Sequence, residues 1–74
     1  MEVRHHLGEV IVWRPEKGTG VIETENGLKV WANFSAIEMD GHKSLDVGQR
    51  VEVEYIDVQQ DSYEHRATKI RVIG

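Results

Sequence analysis

Trp31 sits between Val30 and Ala32 in the stretch LKVWANF, Leu28 to Phe34. Leu28, Val30, Ala32 and Phe34 alternate there with Lys29, Trp31 and Asn33. On an extended strand, that period of two sends the first set inward and the second outward. A tryptophan held outward on a small domain argues for a contact surface. Lys17, Lys29 and Lys43 are the cations from which a basic strip beside it would be built, although isolated lysines are ordinarily solvated surface. Trp13 fits either core or surface. The remaining reactive groups point to no chemistry. His5 and His6 are adjacent, so an extended chain sends them to opposite sides, and no cysteine is present to complete a zinc set. The pair reads as incidental, and no metal or other cofactor is expected. Ser35, Ser44 and Ser62 lack any triad-like context, and no carboxylate pair has a recognisable nucleophile or base beside it. An enzyme is not expected.

The bulk properties limit what can hold these residues. Seventy-four residues make one small domain with a thin core. The formal net charge of −4 counts against a general electrostatic binder of nucleic acid, but a local basic strip on an acidic body remains open. The absence of cysteine removes disulfides and thiolate catalysis and suits a reducing, cytoplasmic setting. No apolar run is long enough to span a membrane, no signal peptide is indicated, and the polar edges and small size suggest a monomer.

Strands and turns must do the positioning. After a lead-in, Met1 to Leu7, strands are expected at Glu9–Trp13, Thr19–Thr24, Leu28–Phe34, Arg50–Val58 and Arg66–Ile73. Arg14-Pro15-Glu16 reads as a turn, and Asn26-Gly27 is a strong hairpin signal because both residues tolerate positive φ. Ser35 is placed to cap a brief helical turn at the start of a long connection reaching Gln49. Gly18 and Gly20 bracket Thr19 where a strand would ordinarily avoid glycine. Five short strands without a long helix suggest a small all-β sandwich or barrel, and a closed barrel leaves few exposed edges.

Four segments resemble the cold-shock domain: GEVIVW (Gly8–Trp13), KGTGVI (Lys17–Ile22), VWANFSAI (Val30–Ile37) and DGHKSLDVGQRVEV (Asp40–Val53). The middle two stand where that family carries its ribonucleoprotein-type motifs. The fourth, with its G-x-K-S-L-x-x-G-Q-x-V spacing, is the most specific. The resemblance implies a five-stranded antiparallel Greek-key barrel of the oligonucleotide/oligosaccharide-binding type. It also implies a face that binds single-stranded RNA or DNA by stacking bases on exposed rings while lysines meet phosphates.

Carried over one position at a time, Lys17 and Phe34 match the family. Thr19 and Val21 stand where the family has phenylalanines, so two platforms are missing. Trp31 replaces a phenylalanine, Asn33 a histidine and Lys29 an aspartate. His42 takes the place of a loop aromatic, next to Lys43. Without a gap, Val12 falls on the family's exposed tryptophan and Trp13 on the phenylalanine after it. A one-residue bulge would instead turn Trp13 outward. Weakened single-strand binding is therefore expected. The alternative is a barrel that kept the fold and lost the ligand, serving protein interaction or structure.

Overall fold

A computed structural model describes residues 2–74. Within it the Asn26-Gly27 reversal forms as the sequence demands. Gly27 adopts φ 86°, its N–H donates to the Thr24 carbonyl at 2.9 Å, and the Leu28 N–H donates to Thr24 Oγ1 at 3.0 Å. This turn joins β2 (Thr19–Thr24) to β3 (Lys29–Asn33); β1 (Arg4–Arg14) precedes them, and β4 (Arg50–Ile56) and β5 (Arg66–Val72) follow. The strands close into a barrel in the order β1-β2-β3-β5-β4. All contacts are antiparallel except β3 with β5, which meet in parallel at Trp31 and Arg66.

Two expectations are corrected. β1 starts at Arg4 rather than after a lead-in to Leu7, and residues Arg4 to Leu7 pair with Tyr55 to Glu52 of β4. Phe34 has left β3 for a short 3-10 turn, Phe34–Ala36, capped by Asn33 rather than Ser35: the Asn33 Oδ1 accepts from the Ser35 N–H at 2.9 Å. A side-chain acceptor one step before the turn satisfies an amide that the turn itself cannot.

The core follows the alternation. Val10, Ile22, Val30, Ala32, Val51, Val53 and Ile70 point inward and are fully buried. The long connection contributes two plugs, Ile37 and Leu45, and Ile37 also bridges to Ile70 of β5. Tyr55 is fully buried beneath two imidazoles, with His6 stacked on its ring at 5.8 Å and His65 edge-on at 5.4 Å. Its hydroxyl has no hydrogen-bond partner among the described residues.

Candidate functional site

The barrel's outer face across β1, β2 and β3 is organised by a bulge. Val10 pairs with Ile22, but the next pair is Val12 with Val21, so Ile11 is the extra residue. A bulge switches the phase of the strand beyond it. Val12 consequently lies on the outer face, and Val12, Val21 and Trp31 form one row across the three strands. Arg14, Thr19 and Asn33 form the next row.

The same bulge sets Trp13 opposite Gly20, in the inward phase at the barrel end, and not outward. Its indole is half-buried and packs on the core, and its Nε1–H donates to Ser44 Oγ at 3.0 Å. Gly20 makes that seat. A Cβ there would lie 2.2 Å from the Val12 carbonyl oxygen and 2.7 Å from Trp13 Cε3.

Gly18 serves a second ring. The Lys17 and Gly18 N–H groups both donate to the Arg14 carbonyl, closing the β1–β2 turn, and Gly18 takes φ 69°. A Cβ on it would lie 2.7 Å from Phe34 Cδ1, while its own carbonyl accepts from the Phe34 N–H at 2.8 Å. The phenylalanine ring thus rests on bare backbone and remains 49% exposed.

Of the residues expected at the site, the fold brings together Trp13, Lys17, Phe34, His42 and Lys43. They line a groove of about 550 Å³ at the barrel end. Trp31 and Asn33 lie in a second groove of about 460 Å³, which Gln60 and Arg66 also line. Thr19 is half-buried in the outer row between β1 and β3. Val21 departs from expectation. It keeps the outward phase, but at 2% exposure it presents no surface for a base. A short branched side chain flanked by Val12 and Trp31 has almost nothing left to show. Lys29 lines neither groove and is paired to Glu23, its cross-strand neighbour, at 3.3 Å.

The cations sort by face. Arg4 pairs with Asp57, Lys69 with Glu38 and Glu54, and Arg71 with Glu52. His5 reaches Glu52 and His6 reaches Glu25, so the two adjacent histidines part as an extended chain requires. Among the described residues, Arg14, Lys17, Lys43 and Arg66 have no carboxylate within ion-pair distance, and all four lie on or beside the two grooves. Arg50, also without such a partner, lies elsewhere, against Glu9 and Glu23 to Glu25.

Arg14, Ser44 and Arg66 were not foreseen at the site. Arg66 could not be, since its place beside Trp31 depends on the parallel β3–β5 contact. Rings half-buried or exposed, two of them seated on glycines and all edged by cations without acidic partners among the described residues, can hold flat, anionic ligands such as nucleotides.

Comparison with known proteins agrees with this geometry. The family described as the 'Cold-shock' DNA-binding domain matches residues 6–73. The cold shock-like protein CspLB of Listeria monocytogenes is 44% identical over 63 residues, covering 85% of this chain and 96% of that protein. The cold shock protein CspC of Bacillus subtilis is 45% identical over 64 residues, covering 86% and 92%. The match takes in the bulged first strand, the glycine-seated rings and the loop bearing His42, and the chain belongs to the cold-shock DNA-binding domain family.

Proposed function

We propose that this chain binds single-stranded RNA or DNA across the face formed by β1, β2 and β3, and that it does so more weakly than a relative with a full set of aromatic platforms. The observation that carries this reading is the coincidence of exposed and half-buried rings with unpaired cations. Phe34 and His42 are exposed, Trp31 and Trp13 are half-buried in the same two grooves, and Lys17, Lys43 and Arg66 stand beside them without acidic partners among the described residues. Membership of the family supports it. In this role the protein keeps single strands open, as an RNA chaperone or a modulator of transcription or translation, acting as a cytoplasmic monomer.

The weakening follows from β2. Each stacked base is worth ~1–3 kcal/mol, so two lost platforms at Thr19 and Val21 remove ~2–6 kcal/mol if the terms add, or roughly 30-fold to 10⁴-fold in affinity. Titrating heptathymidylate at low salt, with tryptophan emission as readout, tests both parts. Nanomolar affinity would remove the weakening, and no quenching at millimolar ligand would remove the binding. The acidic balance of −4 favours a second reading, a protein-binding barrel that has lost its ligand. NMR shifts that scatter or stay silent with oligonucleotide would support that reading. Shifts gathered on Lys17, Trp31, Phe34 and His42 would support the first.

A further inference from the structure

We infer that a strand on this surface is read at two separate stations, and that the nucleotides between them are held by their backbone alone. The inference rests on the nucleic-acid reading above and names the form its ligand takes. The two grooves share no lining residue. One station is the Phe34 ring on Gly18, with Trp13 and His42 around it; the other is Trp31 beside Arg66.

The ground between them carries no ring. It is the row Arg14, Thr19 and Asn33, and Val21, in Trp31's own row, adds no surface at 2% exposure. From Trp31 to Asn33 the strand rise covers roughly 7 Å, Phe34 lies one residue further in the 3-10 turn, and stacked bases rise about 3.4 Å each. One or two nucleotides must therefore cross a surface with nothing to stack on. That surface is not inert. Arg14 is a cation without an acidic partner among the described residues, and the Asn33 side chain, whose oxygen accepts from the Ser35 N–H, still has two amide hydrogens to donate. Donors and a cation suit phosphate oxygens, which carry no base identity.

The consequence is selective tolerance. A base removed from the middle of the ligand costs little, whereas bases removed at either station cost a platform. The test uses the full chain at low salt with end-labelled oligonucleotides, read by anisotropy. The parent is heptathymidylate; its variants carry abasic sugars at the one or two central positions, or at two adjacent positions near either end. Central removal is expected to leave affinity within about 2-fold of the parent. Removal near an end is expected to lower it roughly 5-fold or more, the minimum for one stacked base. Phe34→Ala should erase the sensitivity at one end and Trp31→Ala at the other, which ties each station to its ring.

Central removal that costs as much as terminal removal, while the parent still binds, would overturn the two-station reading and leave nucleic-acid binding intact. A parent that does not bind at millimolar concentration would overturn both.

Discussion

Gly20→Ala is the substitution that most directly tests how this face is built. An alanine Cβ would stand 2.2 Å from the Val12 carbonyl oxygen, 2.7 Å from Trp13 Cε3 and 3.1 Å from Trp13 Cα. Two of these three atoms belong to backbone on the paired strand, so no rotamer change relieves them. The β1–β2 ladder must open by the better part of an ångström beside the bulge, or the indole must leave its seat. Overpacking of this kind costs ~1–3 kcal/mol. Alanine restricts the unfolded chain more than glycine does, which offsets about 0.4–1 kcal/mol. The net loss is at most about 2.6 kcal/mol and centres on about 1.3 kcal/mol, so at ~4–8 °C per kcal/mol the melting temperature is expected to fall by roughly 5–10 °C. The assay is thermal unfolding in a Trp31→Phe background, so that emission reports Trp13 alone. The emission should shift red as the indole moves toward water. A melting temperature unchanged within about 2 °C, with unchanged emission, would refute the argument that Gly20 exists to seat Trp13.

The buried Tyr55 hydroxyl gives a prediction of opposite sign. Tyr55→Phe removes a desolvated group with no partner among the described residues and is expected to leave stability unchanged or raise it by ~1 kcal/mol; a drop of several degrees in melting temperature would show that the hydroxyl is in fact bonded. Trp13→Phe keeps a ring on the Gly20 seat but removes the donor to Ser44. It is expected to cost ~0.5–1.5 kcal/mol and to speed amide exchange in the loop around His42 and Lys43, with Ser44→Ala adding little in the double variant; full additivity of the two would contradict a direct bond.

Much of this molecule is legible in its residues, and the exceptions have physical causes. β2 spans the expected Thr19–Thr24, because branched residues between two turns leave little choice. β1 is longer than its composition suggests. His6 occupies an inward position by stacking on Tyr55, a role that residue type alone does not announce. The bulge at Ile11 leaves no mark in the alternation, yet it decides where both Val12 and Trp13 point. The resemblance puts Val21 on its correct face, but phase is not exposure, and its neighbours in the row determine what is left to touch. Lys29 reads as a free cation until the hairpin register sets Glu23 opposite it. Arg66 belongs to a contact between strands far apart in the chain, which no local pattern reports.

The sorting of cations by face means that the chain has no single electrical character. Its sum is −4, yet the acidic partners of Arg4, Lys69 and Arg71 are gathered away from the grooves, where Glu16 alone of the lining residues is acidic, and apart from Arg50 the uncommitted arginines and lysines are gathered at them. An anion-exchange resin, sampling every orientation, will hold the protein by its back. A polyanion in solution will be turned away from that back and drawn to the front, so attraction begins within about a Debye length and only from one side. Raising the salt weakens both encounters, but for opposite reasons: in one it screens the acids, in the other the few cations that the acids have left alone.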